Sequence, residues 1–138
     1  MKKITKTLVA ILLVAIMCMA NVTAFASNEA PSPRLSHTSD GSFTFVADKG
    51  IGHADVTYYG YDSFVRADLT VKIEKRFLLV FWNYVDEWSA SSTELNGDFY
   101  HAFTLSETGM YRAKFTLTIT GNDGTQDVIT SEIESKYQ

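Results

Sequence analysis

Three histidines are the side chains of this sequence best suited to acid–base chemistry near neutral pH, and none of them stands in a catalytic pattern. No Gly-x-Ser-x-Gly elbow occurs, and neither His37, His53 nor His101 has a serine or carboxylate at a spacing that implies a triad. His53 and Asp55 would share one face of a strand, but a zinc site needs three or four ligands. We therefore predict no catalytic residue, no metal and no cofactor. A small hydrolase stays an alternative, and it would require His53 or His101 beside a carboxylate in a cleft.

Aromatic residues are the one group that is unusually frequent in this sequence, and most of them lie within residues 58–103. Sugar-binding modules stack pyranose rings on coplanar, exposed aromatic rings, and the candidates for such a platform are Tyr59, Tyr61, Trp82 and Trp88. The competing interpretation is that a sandwich fills its core with aromatic residues, including one tryptophan on a middle strand. Core packing is favoured, with Trp82 as the core tryptophan.

The elements that would position these side chains are strands, because apolar and polar residues alternate with period two. The clearest runs extend from Val65 to Ile73 and from Tyr111 to Ile119. Strict alternation of this length indicates half-buried strands of an antiparallel sheet. The alternation slips near Tyr84-Val85, which predicts a β-bulge there. Weaker strand candidates bring the total to about seven: 43–47, 53–59, 79–88, 99–105 and 126–133.

Segments rich in Gly, Asn and Asp separate these strands and predict turns. The predicted turns are Asp48-Lys49-Gly50, Asp62-Ser63, Asn96-Gly97-Asp98, Glu107-Thr108-Gly109 and Asn122-Asp123-Gly124. No helical periodicity longer than about one turn follows the first segment of the chain. Seven short strands at this spacing predict an all-β fold, a single antiparallel β-sandwich.

One segment resembles a motif of the immunoglobulin fold, D-x-G-x-Y-x-C, whose tyrosine forms a corner at the start of strand F. Glu107 stands for the aspartate, Tyr111 for the corner tyrosine, and Ala113 for the second cysteine. Residues 54–137 are also similar to the small immunoglobulin- or fibronectin-III-like domains that Gram-positive bacteria, clostridia especially, export. The segments that carry this likeness are LTVKIEKR, WNYVDEW and TGMYRAKFTLTITGNDGTQDVIT. The resemblance implies a disulfide-free sandwich outside the cell; it implies no activity and supplies no site residues.

The first segment has the composition of a secretory signal peptide. Three lysines precede an apolar run, Leu8–Ala20, and Ala24-Phe25-Ala26 is a small-x-small cleavage site. The apolar run is shorter than the ~20 residues that span a bilayer. We therefore predict cleavage after Ala26 and secretion. The only cysteine, Cys18, lies in the removed part, and Met17 before it argues against lipidation.

The predicted organisation is a signal peptide at 1–26, a flexible lead at 27–41 that holds both prolines, and the sandwich at 42–138. Without the signal peptide, nine basic and sixteen acidic residues remain. Such a charge repels nucleic acid and anionic lipid, so we expect no nucleic-acid partner and no membrane contact after cleavage.

These observations predict a secreted, non-enzymatic binding or structural module at the surface or exterior of a bacterial cell, whose partner is an unknown protein or glycan. A carbohydrate- or cell-wall-binding module that uses the four aromatic candidates is the first alternative. A secreted toxin or immunity factor is neither supported nor excluded, and the oligomeric state stays open.

Overall fold

A computed structural model describes residues 34–138 of the chain, and these residues form seven antiparallel strands and no helix. The predicted signal peptide and residues 27–33 of the predicted lead lie outside the described residues. The strands are β1 (Thr38–Asp48), β2 (Ile51–Gly60), β3 (Phe64–Phe77), β4 (Phe81–Ser92), β5 (Asn96–Thr104), β6 (Gly109–Gly121) and β7 (Gln126–Tyr137).

The strands form two sheets, with the orders β1-β2-β5 and β4-β3-β6-β7. In the constant-type immunoglobulin sandwich the fourth strand belongs to the same sheet as the first, second and fifth strands. Here β4 instead pairs with β3, which is the arrangement of fibronectin type III domains. The predicted all-β, immunoglobulin-like sandwich is therefore confirmed.

The core lies between the two sheets and is built from the alternating residues of β3 and β6. Ala67, Leu69, Val71 and Ile73 are each at most 1% exposed, and the apolar residues of β6 between Tyr111 and Ile119 are at most 2% exposed. The predicted start of the β3 stripe is wrong, because the register of β3 shifts between Phe64 and Arg66. Val65 is 47% exposed as a result.

The tyrosine corner predicted at Tyr111 is present. Its ring is buried, and its hydroxyl donates a hydrogen bond of 2.6 Å to the backbone carbonyl of Glu107. Burial raises the pKa of the Tyr111 hydroxyl, with a contribution from the carboxylate of Glu107, against the opposing effects of Lys75 and of this hydrogen bond. The bond fixes the entry into β6, where Gly109 has a φ of 145°.

Replacing Tyr111 with phenylalanine should lower the free energy of unfolding by about 1 kcal/mol, because the part-buried hydrogen bond from its hydroxyl to the carbonyl of Glu107 is lost. Urea unfolding followed by tryptophan fluorescence measures this loss. An unchanged midpoint would show that the corner bond contributes nothing.

The flexible lead predicted to end at Gly41 is wrong in its last part. Strand β1 begins at Thr38, which is fully buried, and the backbone N–H of His37 donates a 2.6 Å hydrogen bond to Asp127 of β7. The sandwich therefore begins before the predicted Ser42. The polar residues of this segment indicated a loop, but partners on β7 satisfy their backbone groups.

The ring of His37 anchors this segment between two turns. Its Nδ1 lies 2.8 Å from the Ser63 hydroxyl, and its Nε2 lies 2.7 Å from the Thr125 hydroxyl. The ring occupies the space beside Gly121, where a β-carbon would overlap it. His37 is 3% exposed, so it is a buried structural residue.

The turn predicted at Asn96-Gly97-Asp98 is also wrong, because these residues open β5 and the connection from β4 is residues 93–95. The glycine has a packing role. A β-carbon at Gly97 would lie 2.7 Å from the hydroxyl oxygen of Tyr58, so glycine here makes room for a buried tyrosine.

Leu35–Gln138 forms a compact unit with its own core. Within residues 34–138, no helix has the length and apolar character needed to cross a membrane.

Candidate functional site

The turn between β3 and β4 carries five consecutive apolar residues, Phe77–Phe81, which we call the apolar tip. Phe77 and Phe81 pair across the hairpin and close a three-residue loop. Within that loop Leu78 is 68% exposed, Leu79 is 85% exposed and Val80 is 71% exposed. Leucine and valine prefer the interior of a folded protein, so this loop places apolar side chains where solvent alone would disfavour them.

The backbone of the apolar tip is also in an unfavourable conformation. Leu78 has a φ of 47° and Leu79 a φ of 69°, and the N–H of Val80 donates a 2.9 Å hydrogen bond to the carbonyl of Leu78. A left-handed conformation costs an L-residue with a β-carbon about 1–2 kcal/mol. Glycine or asparagine would occupy these two positions with less strain.

Exposed apolar surface continues from the tip along β4. Tyr84 is 63% exposed and Val85 is 36% exposed, and β4 is an edge strand of its sheet. Exposed apolar side chains that neighbour one another on a folded protein are a candidate interaction surface. The apolar tip with Tyr84 and Val85 is therefore the candidate functional site.

The two tryptophans of β4 lie on opposite faces of their sheet. Ile73 pairs with Asp86 and Glu74 pairs with Tyr84, so Val85 is an extra residue in β4, and the bulge predicted at Tyr84-Val85 is confirmed. The bulge reverses which residues of the strand face the core. Strict alternation would place Trp82 and Trp88 on one face, because they are six residues apart.

The prediction that Trp82 is the core tryptophan is wrong, because Trp88 has that place. Trp88 packs edge-on against Phe99, with ring centroids 6.4 Å apart. Trp82 lies on the outer face beneath two guanidinium groups, with its ring centroid 4.1 Å from Arg112 and 4.9 Å from Arg76.

The four aromatic candidates do not share a face. Tyr59 is 57% exposed on β2 of the three-stranded sheet, and Tyr61 is 47% exposed in the turn after it. Trp82 lies on the outer face of the other sheet and Trp88 packs against the core. The structure therefore brings no flat platform together from these four residues.

An ion-pair cluster surrounds Trp82 on the outer face. Glu74 is only 7% exposed, and its carboxylate lies 2.5 Å from Arg112, 3.4 Å from Lys114 and 3.5 Å from Lys72. Burial raises the pKa of Glu74, but the hydrogen bond and charge of Arg112, with the charge of Lys114, outweigh burial and hold this pKa below its ordinary value. The basic side chains of the cluster are paired with the carboxylate of Glu74 from the same sheet, so we interpret the cluster as part of the sheet structure.

Two described histidines, His37 and His101, lie beside a carboxylate. Nε2 of the buried His37 is 3.5 Å from Oδ1 of Asp123. Nε2 of His101 lies 3.3 Å from Oδ2 of Asp86, and this contact joins β5 to β4 across the two sheets. The ring of His101 stacks on Trp88, with centroids 4.8 Å apart and planes 7° apart, and on Phe103 at 5.8 Å. Because its imidazole packs between two aromatic rings and contacts β4, His101 helps to hold the two sheets together.

His53, the other histidine weighed for chemistry in the sequence, contacts a tyrosine. Nδ1 of His53 lies 2.5 Å from the hydroxyl of Tyr100, and no cluster of three or more metal-ligating side chains occurs in residues 34–138. The turn at 122–125 is a hairpin turn, in which Asp123 accepts a 2.9 Å hydrogen bond from the N–H of Thr125.

Three depressions on the described surface are lined by both polar and apolar side chains. One is lined by Lys114, Thr116 and Glu132 among others, a second by Arg66, Ser91 and Glu94 among others. The third lies between β4 and the loop before β6, and its lining includes Lys75, Tyr84 and Glu107. None of the three includes His53 or His101.

No protein-family model matches this chain, and no curated protein matches it significantly. Five chains of solved structure do match. One of them is the CARDB domain of the PF1109 protein from Pyrococcus furiosus, which was solved in complex with di-metal ions. The two chains are 14% identical, the match covers 76% of this chain and 96% of that one, and the TM-score is 0.40. Because that likeness is loose, the assignment of an immunoglobulin-like sandwich rests on the strand order and the tyrosine corner of this chain itself.

Proposed function

We propose that this chain is a secreted, non-enzymatic binding module that works at the exterior of a Gram-positive bacterial cell, with the apolar tip as its contact surface. The observation that carries the proposal is the exposure of Phe77–Phe81 at the end of a hairpin that a packed sandwich holds. The tip exposes apolar surface and holds two leucines at positive φ. Unfavourable local conformations of this kind cluster at functional sites.

The first segment supports action outside the cytosol. Residues 1–26 have the charge, apolar run and cleavage site of a signal peptide. Residues 27–138 contain no cysteine, so the fold needs no disulfide. The compact unit Leu35–Gln138 has its own hydrophobic core. A module of this kind keeps its fold after the first segment is removed.

A binding role is better supported than a hydrolytic one. Among the described residues, Asp86 is the hydrogen-bond partner of the His101 ring, and a hydrolase of the serine type also needs a hydroxyl nucleophile within reach of that ring. Trp88 and Phe103 flank the same ring. We assign the contact between His101 and Asp86 a structural role, in which it holds β5 against β4.

The carbohydrate-binding alternative has weaker support. It needs two or more of Tyr59, Tyr61, Trp82 and Trp88 on one flat face, and the two tryptophans are on opposite faces of the other sheet. Tyr59 and Tyr61 are the pair that stays exposed.

The test compares retention of the labelled chain Ser27–Gln138 on intact Gram-positive cells with retention of the variant Leu78→Asn/Leu79→Gly. Asparagine and glycine both accept positive φ, so this variant should fold at least as well as the wild type. We expect the variant to be washed off and the wild type to be retained. The control is Leu95→Ser, which removes a leucine that is 45% exposed at the opposite end of the sandwich and should leave retention unchanged.

Secretion is checked separately by mass spectrometry of the culture supernatant, which should find a chain that begins at Ser27. Equal retention of the tip variant and the wild type would contradict the assigned surface. A chain that keeps Met1 and stays inside the cell would contradict secretion.

A further inference from the structure

We propose that the apolar tip enters the interface of an anionic lipid bilayer. This inference rests on the proposed function, since it names the partner of the same contact surface. It also departs from the expectation, drawn from net charge, that the chain has no membrane contact after cleavage of the signal peptide.

The shape of the tip suits a fluid partner. Leu78, Leu79 and Val80 form a three-residue loop, and each is at least two-thirds exposed, so the loop is a convex projection. A convex apolar loop needs either a complementary apolar pocket or a fluid apolar phase. The three depressions named above, all within residues 34–138, are lined by mixtures of polar and apolar residues, so none of these three offers a wholly apolar pocket to the loop of a second copy.

The residues next to the tip are basic and aromatic, the types found at the headgroup level of a membrane interface. Lys75 and Arg76 directly precede it, Trp82 and Tyr84 follow it, and residues 75–85 contain no acidic side chain. Apolar side chains enter the acyl region, aromatic rings prefer the headgroup level, and lysine and arginine reach lipid phosphates.

Charge is distributed unevenly between the two ends of the sandwich. The connections at the end far from the tip, at 61–63, 93–95 and 122–125, contain three acidic residues and no basic one. The connections beside the tip, at 49–50 and 105–108, contain one lysine and one glutamate. These far connections therefore carry a net negative charge while the connections beside the tip are neutral, so an anionic surface repels the far connections more strongly. The overall negative charge hides this asymmetry.

The two cations beside the tip are available to lipid phosphates. Lys75 contacts Glu107, and Arg76 lies 2.9 Å from Glu134. The two carboxylates are substantially exposed, while the Lys75 side chain is 25% exposed and the Arg76 side chain is 32% exposed. Exchange of either carboxylate for a lipid phosphate replaces one partly exposed ion pair by another.

The test is co-sedimentation of the chain Ser27–Gln138 with vesicles of equal parts phosphatidylglycerol and phosphatidylcholine. We expect the variant Leu78→Asn/Leu79→Gly to bind about 100-fold more weakly than the wild type, because the burial of each leucine is worth at least a factor of ten. The control Leu95→Ser should bind like the wild type. Pure phosphatidylcholine vesicles should bind more weakly than the anionic ones.

The outcomes separate this inference from the proposed function. Retention on cells without any sedimentation with vesicles would overturn the lipid inference and assign the tip to a protein or glycan partner. Equal sedimentation of the tip variant and the wild type would also overturn it. Absence of both retention and sedimentation would overturn the proposed function as well.

Discussion

Replacing Trp88 with alanine should lower the free energy of unfolding by about 3 kcal/mol, because the ring packs against Phe99 and the core and its removal leaves a cavity. Replacing Trp82 with alanine should cost only about 1 kcal/mol, the scale of the cation–π contacts with Arg76 and Arg112. The two substitutions are matched, since both remove one tryptophan from the same strand.

Urea unfolding measures both free energies, with circular dichroism as the signal because each variant loses one fluorophore. If Trp82→Ala proved the more damaging substitution, the bulge at Val85 would not set the faces of β4 as described. Equal losses would count against the account in the same way.

Replacing Gly121 with alanine should destabilise the sandwich by about 3 kcal/mol, because the new methyl group overlaps the buried ring of His37. Replacing His37 with alanine should cost about 2 kcal/mol on its own, through the lost bonds to Ser63 and Thr125.

The double variant His37→Ala/Gly121→Ala should be no less stable than His37→Ala alone, since the ring that collides is gone. Such coupling between contacting residues is measured by a double-mutant cycle. Additive losses would mean that His37 does not occupy the space beside Gly121, and that the segment before β1 is held in another way.

Much of the fold could be predicted from the sequence, because local patterns of apolar and polar residues determine where most strands lie. Alternation from Ala67 to Ile73 and from Tyr111 to Ile119 located the two central strands, and the tyrosine motif located the corner. Long-range contacts decided what local patterns could not. His37 reads as part of a polar loop until Thr125 and Asp127, about 90 residues away, provide its partners.

The faces of β4 were only half predictable. The slip at Tyr84-Val85 showed that a bulge exists, but its position decides which tryptophan faces the core. The partners of the bulge lie on β3, with Ile73 opposite Asp86 and Glu74 opposite Tyr84. Those partners are not visible in the sequence of β4 alone.

The apolar tip was missed although a signal was present. Five consecutive apolar residues without alternation were interpreted partly as the start of a strand, since a continuous apolar run is also typical of a buried strand. The hairpin turn also has leucine at two positions of positive φ, where glycine or asparagine is usual. The combination of an apolar run and poor turn residues is the sequence signal for this site.

The most direct test of the contact surface uses a spin label on a single cysteine, since residues 27–138 contain none. A label at Leu79→Cys in the apolar tip is compared, on anionic vesicles, with a label at Val128→Cys on β7. We expect the label at position 79 to become accessible to oxygen and shielded from a water-soluble nickel chelate, while the label at position 128 stays in water. Unchanged accessibility of the label at position 79 after vesicles are added would contradict the account.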